Sequence, residues 1–187
     1  MIFLIKYNNE KNIRFKSFKK TFELCFERNL KILVETGTAR GKTKFFFIKK
    51  YNWKDGMSTP MFAEYAKFCN GMLHTCDISQ KNINSAKNFT KSFSHFVKFY
   101  AQDSLIFLQD FEHSIDLLYL DSLDGHDPVA ASEHQLKEAQ IAIKKLHNKS
   151  LVLLDDKGSK TNLSIDFFVN NNFKVIYETN FQVLLSK

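Results

Sequence analysis

The 187-residue sequence has little glycine, proline, cysteine or arginine: 6, 2, 3 and 3 residues respectively. So few glycines and prolines exclude a collagen-like chain and a low-complexity linker. Cys25, Cys69 and Cys76 are odd in number and lack C-x-x-C spacing, so we expect free thiols in a reducing, cytoplasmic compartment. No apolar run approaches the ~20 residues of a membrane span, and the apolar start at residues 1–5 is too short for a signal peptide.

The remaining composition is that of an ordinary globular protein, with 44% hydrophobic and 25% charged residues. The length predicts a single domain spanning residues 1–187. A formal net charge of +7 makes nucleic acid one candidate partner. However, the basic residues concentrate at 6–20 and 42–54 whereas 116–127 is acidic, so a solvated basic face is the simpler interpretation. The oligomeric state stays open.

Strand-like and helix-like patterns alternate along the chain. Five short apolar runs are typical of buried parallel strands: 31–35, 71–77, 97–101, 115–121 and 151–156. Two more strands, 173–178 and 181–185, are joined by only two residues and must therefore be antiparallel. We predict an α/β fold: a doubly wound, seven-stranded, mostly parallel sheet with a C-terminal antiparallel hairpin. Residues 1–30 are expected to cover the sheet with a strand and a helix, and residues 42–58 to form an inserted loop.

Helices are predicted between these strands from apolar periodicity and capping residues. Thr59 is expected to be an N-cap with Pro60 at the first helical position, and Ser132 to form a capping box with Gln135. The predicted helices are 15–29, 59–70, 79–93, one beginning at Ser132, and 163–172.

Acidic residues follow three of the predicted strands, beginning with the ETGTARG segment at Glu35. Its small residues let the backbone approach a ligand closely. The segment is one residue shorter than the phosphate-binding loop G-x-x-x-x-G-K-[ST], the alternative interpretation. Asp77 ends the second strand, where a carboxylate can accept hydrogen bonds from both ribose hydroxyls, and Asp103 follows the third, where it can accept from an adenine amino group. Together these carboxylates predict a nucleoside site.

These motifs resemble those of class I S-adenosylmethionine-dependent methyltransferases, which have a Rossmann-like fold. The resemblance spans residues 31–187 and implies that S-adenosylmethionine is the cofactor. In the family, the segment like 55–59 follows the glycine-rich turn directly, whereas residues 42–54 intervene here. The cofactor-binding residues that the resemblance implies are Glu35, Gly37, Thr38, Ala39, Gly41, Ser58, Asp77, Ile78, Asp103, Ser104 and Asp121.

Three more carboxylates close the fourth and fifth predicted strands: Asp121, Asp155 and Asp156. Neighbouring strand ends would bring them together, where they repel unless a proton or cation intervenes. Such an oxygen-rich site suits Mg²⁺ or another divalent cation. The arrangement resembles the metal-dependent O-methyltransferase-like branch of the family, in which the ion lowers the pKa of the acceptor hydroxyl. The alternative is that Asp155 and Asp156 only cap the following turn.

Two residues are the candidate catalytic groups. Asp121 corresponds to the family motif beside the transferred methyl group. His126, on the loop after the fourth strand, is a candidate general base because histidine titrates near neutral pH. An ordinary solvated histidine is the alternative, and His134 is a second histidine that could reach the same site.

The predicted function is S-adenosylmethionine-dependent O-methylation of a hydroxyl on a small molecule such as a sugar, polyol or phenol. Methylation of RNA is an alternative motivated by the net charge. A module that binds S-adenosylmethionine without turnover is the other alternative.

Overall fold

A computed structural model of the protein describes residues 1–40, 42–45, 48–51, 53 and 57–187, and only the backbone of 42–45 and 48–51. The strands are β1 (Ile32–Thr36), β2 (Lys42–Phe45), β3 (Ile48–Tyr51), β4 (Met72–Asp77), β5 (Val97–Ala101), β6 (Ile115–Leu120), β7 (Leu146–Asp155), β8 (Lys174–Glu178) and β9 (Gln182–Ser186). The α-helices are α1 (Phe15–Glu27), α2 (Ser58–Cys69), α3 (Gln80–Phe89), α4 (Ser104–Asp110), α5 (Pro128–Ala142) and α6 (Asn162–Asn170).

The main sheet has seven strands in the order β5-β4-β1-β6-β7-β9-β8. Strands β5, β4, β1, β6 and β7 are parallel neighbours, whereas β9 is antiparallel to both β7 and β8. Six strands therefore point the same way, and the predicted doubly wound sheet with its C-terminal hairpin is confirmed. The chain steps outward from β1 to β4 and β5, then returns to the other side of β1 for β6, which creates a topological switch point beside β1.

The central strands are buried because layers of helix and aromatic side chains cover both faces of the sheet. On one face, residues of α1 and α2 form an aromatic cluster that reaches β6: Phe18, Phe22, Phe62, Tyr65 and Tyr119. On the other face, β6 and β7 pack against α4, α5 and α6. Among the described residues, no helix combines the length and apolar character needed to cross a membrane.

The N-terminal cover differs from the prediction. Residues Ile2–Tyr7 form a 3-10 helix rather than a strand, and α1 follows it. Leu4 and Tyr7 are buried, and their three-residue spacing matches the period of a 3-10 helix, which places both side chains on the face toward the core.

The predicted loop at 42–58 contains an antiparallel hairpin of β2 and β3, which forms a sheet separate from the main one. Its last residue, Ser58, already belongs to α2. Met57 therefore occupies the N-cap position predicted for Thr59, whose hydroxyl bonds to groups beyond its own helix.

Two other helix boundaries were predicted wrongly. Helix α5 begins at Pro128, four residues before Ser132, because the Asp127 carboxylate accepts hydrogen bonds from the amides of Val129 and Ala130. Helix α3 ends at Phe89, and a 3-10 helix covers residues 91–96.

The aromatic cluster predicts a large effect of truncation at Phe22, which is fully buried and stacks on Tyr65 with ring centroids 5.1 Å apart. Phe22→Ala should lower the free energy of unfolding by about 3–5 kcal/mol, because it leaves a cavity among the packed rings. Phe26→Ala, a matched change on the exposed side of α1, should cost about 0.5 kcal/mol or less. Urea denaturation measures both, and equal losses would contradict the assigned core.

Candidate active site

The loop after β1 passes very close to the end of β6, and Gly37 makes that approach possible. Gly37 has a φ of 84°, and a Cβ there would lie 2.2 Å from the backbone oxygen of Asp121. Its amide donates to the carbonyl oxygen of Cys76 (2.9 Å), while the Asp121 amide donates to that of Thr36 (3.0 Å). The ends of β1, β4 and β6 are thereby joined through backbone hydrogen bonds.

The buried carboxylate of Glu35, near the end of β1, helps to hold the same loop in place through hydrogen bonds. Its Oε2 accepts hydrogen bonds from the hydroxyls of Thr75 (2.6 Å) and Thr59 (2.8 Å). The Thr59 oxygen in turn accepts from the Ala39 amide (2.8 Å), which links the loop to α2. Burial raises the pKa of Glu35 from its ordinary 4.5 to about 7, although the hydroxyls of Ser58, Thr75 and Thr59 oppose the rise.

The carboxylate of Asp77 joins the loop after β1 to the start of α3. Its Oδ2 accepts from the amide (3.2 Å) and hydroxyl (3.1 Å) of Thr38. Its Oδ1 accepts from the Ser79 amide (2.8 Å), and the side-chain amide of Asn82 lies within 3.2 Å of both oxygens. Asp77 is thus held at the edge of the sheet, beside Gly37.

Two cavities meet at Gly37, Asp77 and Ser122, at the carboxyl ends of the parallel strands. The first, which we call the acidic cavity, has a volume of about 120 Å³ and is also lined by Arg14, Thr38, Arg40, Asp121, Asp124, Asp155 and Asp156. The second, the strand-tip cavity, has a volume of about 100 Å³ and is also lined by Cys76, Ile78, Asp103, Ser104, Leu123 and His134. Most of the residues predicted from the sequence therefore border one continuous region.

In the strand-tip cavity, Asp103 and His134 have defined partners. Asp103 is the N-cap of α4, and its Oδ1 accepts from the amides of Leu105 and Ile106. His134 Nε2 lies 2.9 Å from the Ser104 hydroxyl and 3.6 Å from the buried Glu138 carboxylate. Glu138 raises the pKa of His134 against the opposing effect of burial.

The structure brings Asp121, Asp155 and Asp156 together, as predicted. One oxygen of each carboxylate lies within 4.8 Å of the other two. Asp121 follows β6 and Asp155 ends β7. Asp156 adopts a left-handed conformation with a φ of 56°, which turns the chain away from the strand.

Two cations, Arg14 and Lys160, form ion pairs with these carboxylates. Arg14 Nε lies 2.7 and 3.0 Å from the two oxygens of Asp155, and its terminal nitrogen lies 2.7 Å from Asp156 Oδ1. Lys160 Nζ lies 2.8 Å from Asp121 Oδ1 and 3.1 Å from Asp156 Oδ2. The last oxygen, Asp121 Oδ2, accepts from the Tyr119 hydroxyl at 3.3 Å. Each of the six carboxylate oxygens therefore already receives a donor from the protein.

This arrangement does not fit a resident divalent cation. The carboxylates raise the pKa of Lys160 and that of Arg14, so both side chains keep their charge despite burial. Burial and the neighbouring Asp155 raise the pKa of Asp121, while Lys160 opposes that rise. Arg14 and Lys160 place two positive charges beside the three carboxylates, so a divalent ion would compete with them for the same oxygens.

Four predicted residues line neither cavity: Glu35, Ala39, Ser58 and His126. His126 is exposed and borders neither cavity. Ser58 is buried and interacts with Glu35, and the buried Ala39 donates its amide to Thr59. Gly41 lies outside the residues that the structure describes.

Sequence reasoning missed Arg14 and Lys160. Arg14 is one of only three arginines in a lysine-rich chain, and the planar guanidinium binds a carboxylate through two nitrogens in a way that lysine does not. Lys160 lies four residues after Asp156, a spacing that favours an ion pair wherever the chain turns helically. The scarcity of arginine and the four-residue spacing of Asp156 and Lys160 are therefore the sequence features that point to these two residues.

The raised pKa of Glu35 predicts a pH-dependent stability. Between pH 4.5 and about 7 the folded state holds a proton that the unfolded state releases, so stability falls as the pH rises, by roughly 3 kcal/mol in total. Glu35→Gln should remove this loss, because glutamine stays neutral and still accepts from Thr59 and Thr75. Urea denaturation at pH 5 and pH 8 measures the effect. Glu133→Gln, at an exposed position on α5, is the control, and an unchanged pH dependence in Glu35→Gln would contradict the prediction.

Comparisons with known proteins agree with this geometry. The profile of the family described as "Methyltransferase domain" matches residues 34–157. A comparison with curated protein sequences finds no match.

Solved structures share the fold at low sequence identity. SAH-bound methyltransferase PaMTH1 from Podospora anserina is 11% identical, with a TM-score of 0.64 over 91% of this chain and 77% of that one. A methyltransferase from Geobacter sulfurreducens is 13% identical, with a TM-score of 0.62 over 92% and 78%. An rRNA methylase from Streptococcus thermophilus is 9% identical, with a TM-score of 0.62 over 90% and 94%. Since the family profile covers well over half of the sequence, the chain belongs to the methyltransferase-domain family and is a class I S-adenosylmethionine-dependent methyltransferase.

Proposed function

We propose that this enzyme transfers the methyl group of S-adenosylmethionine to a hydroxyl oxygen of a small molecule. The observation that carries the proposal is the meeting of the two cavities at Gly37 and Asp77, with the Asp121 carboxylate on the wall of the acidic cavity. A nucleoside and a reacting oxygen can therefore be held in adjoining compartments.

The cofactor is proposed to lie across the junction of the two cavities. The strand-tip cavity would hold the adenine between Ile78, Asp103 and Ser104, and Asp77 would accept from the ribose hydroxyls. The methionine part would extend past Gly37 and Thr38 into the acidic cavity. Glu35, Ala39 and Ser58 would act indirectly, because they fix the loop after β1.

Asp121 is proposed as the general base. Within the described ranges its Oδ2 accepts only the long hydrogen bond from Tyr119 and can accept another, and its raised pKa favours taking a proton. The acceptor O–H would give its proton to this oxygen as the acceptor oxygen bonds to the methyl carbon. The S–CH₃ bond breaks, its electron pair stays on sulfur, and adenosylhomocysteine leaves. The exposed His126 has no assigned step.

We propose that Arg14 and Lys160 take the place of the divalent cation suggested by the sequence resemblance. In wild-type protein, Mn²⁺ should show no stoichiometric binding by electron paramagnetic resonance. Lys160→Met should raise Mn²⁺ affinity at least about tenfold, because it frees oxygens of Asp121 and Asp156. Lys157→Met, at a nearby lysine paired with Glu178, is the control. Stoichiometric wild-type binding that Asp155→Asn removes would contradict the proposal.

RNA methylation is the second candidate because the chain carries a net charge of +7 and the segment 42–54 contains five lysines. Similarity to an rRNA methylase fold is compatible with it. If RNA is the methyl acceptor, the affinity for RNA should fall steeply as the salt concentration rises. A protein that does not bind RNA at low salt would dismiss this candidate.

We also propose that residues 1–187 form one catalytic domain, in which residues 1–30 cover the sheet.

We propose a cytoplasmic location, which is supported by three free cysteines, two of them buried.

The cofactor assignment predicts the effect of changing Asp77. Asp77→Ala should weaken adenosylhomocysteine binding roughly 100-fold, the value of two hydrogen bonds to a charged group. Asp77→Asn keeps one acceptor oxygen for the contact with Thr38, so its affinity for adenosylhomocysteine should fall less. Isothermal titration calorimetry measures the affinities, with Asp166→Ala on the exposed side of α6 as control. Undiminished affinity in a folded Asp77→Ala protein would rule out this cofactor site.

A further inference from the structure

A third and larger space lies outside the cofactor cavities. It is a groove of about 670 Å³. The N-terminal segment, residues 8–16, lines one side. The end of β8 and the turn that joins β8 to β9 line the other. We refer to this space as the N-terminal groove. A pocket of this size accommodates a whole small molecule.

The N-terminal groove adjoins the acidic cavity. Strand β8 points the same way as β7, so the turn after β8 lies at the carboxyl edge of the sheet, where the cofactor cavities open. The backbone carbonyl oxygen of Phe181, in this turn, accepts a hydrogen bond from the Lys157 amide. The Phe181 ring lies 5.9 Å from the Arg14 guanidinium carbon. Ile13 and Phe15 line the groove, whereas Arg14 between them lines the acidic cavity. The N-terminal segment therefore borders both spaces.

Asn12, one of the residues that line the groove, carries a buried and unpaired polar atom. The side chain is only 4% exposed, and its Nδ2 donates to the carbonyl oxygen of Tyr7 at 3.0 Å. Because that carbonyl can only accept, the orientation of the amide is fixed. Within the described part of the chain, Oδ1 has no hydrogen-bond partner. A buried acceptor without a donor is unfavourable, so a ligand O–H or N–H group that displaces the groups covering this atom would gain a hydrogen bond.

The rest of the lining combines aromatic rings with uncharged amides. The rings belong to Phe15, Tyr177 and Phe181, and the exposed amides include those of Asn8 and Asn180. Rings offer flat apolar surface, while amides both donate and accept hydrogen bonds.

The formal charge of the lining is not positive. Glu10 and Glu178 oppose the single Lys16, and Glu178 already pairs with Lys157 outside the lining. Phosphate groups are therefore poorly matched to the groove, since their binding depends on clustered positive charge.

We infer that the N-terminal groove binds the methyl acceptor, and that the acceptor is a neutral polyhydroxylated ring compound of the sugar class. The rings pack against the apolar face of the sugar, a hydroxyl donates to Asn12 Oδ1, and another reaches past Arg14 toward Asp121. The inference rests on the proposed O-methyltransferase function and adds the substrate class and its site.

The test uses the 187-residue chain with adenosylhomocysteine on an array of neutral glycans, acidic glycans and oligoribonucleotides. Neutral glycans should be bound, and Phe181→Ala and Asn12→Leu should each weaken that binding about tenfold, the loss of one contact. Both variants should retain wild-type adenosylhomocysteine affinity by calorimetry. Ile176→Ala changes the exposed neighbour of Tyr177 on β8, which does not line the groove, and should bind glycans normally.

The outcomes separate this inference from the proposed function. Normal adenosylhomocysteine binding without neutral-glycan binding overturns the groove assignment alone, as does glycan binding that neither variant weakens. Preferential binding of oligoribonucleotides, reduced by Phe181→Ala, overturns the substrate class. A folded wild-type protein that does not bind adenosylhomocysteine overturns the proposed function itself, and the groove's role with it. If Asn12→Leu fails to fold, the surface variant Phe181→Ala decides.

Discussion

The pairing of three clustered carboxylates with Arg14 and Lys160 is the interaction on which the active-site edge depends. Asp155 and both cations are nearly buried, so an unpaired charge among them would be strongly unfavourable. Arg14 comes from the N-terminal segment and Lys160 from the segment after β7. Their contacts therefore attach both segments to the ends of β6 and β7, and the same ion pairs that stabilise the edge shape the space beside the proposed base.

A second set of contacts organises the cofactor side of this edge. Gly37 lets the loop after β1 lie against β6, while Glu35 and Asp77 hold it to α2, β4 and α3. These contacts use backbone amides and short hydroxyl side chains, which have few conformations to lose. The loop is thus arranged around the two cavities by the protein itself, so a ligand has little ordering entropy to overcome.

The sheet and its acidic strand ends could be predicted from the sequence because they depend on local patterns: apolar runs, a two-residue hairpin link, and carboxylates directly after strands. The start of α5 is also encoded locally, by Asp127 and Pro128, but the capping-box pattern at Ser132 competes with them and predicts a later start. Arg14 could not be predicted in the same way, since its partner Asp155 lies 141 residues away. Likewise, the unpaired oxygen of Asn12 exists only because folding buries it.

The most direct test is a crystal structure of the protein grown with adenosylhomocysteine and Mn²⁺, with anomalous diffraction recorded to locate manganese. The account predicts a nucleoside across the junction at Asp77, Arg14 and Lys160 still bonded to Asp121, Asp155 and Asp156, and no anomalous peak among them. A manganese peak bound to those three carboxylates, with Lys160 displaced, would contradict it.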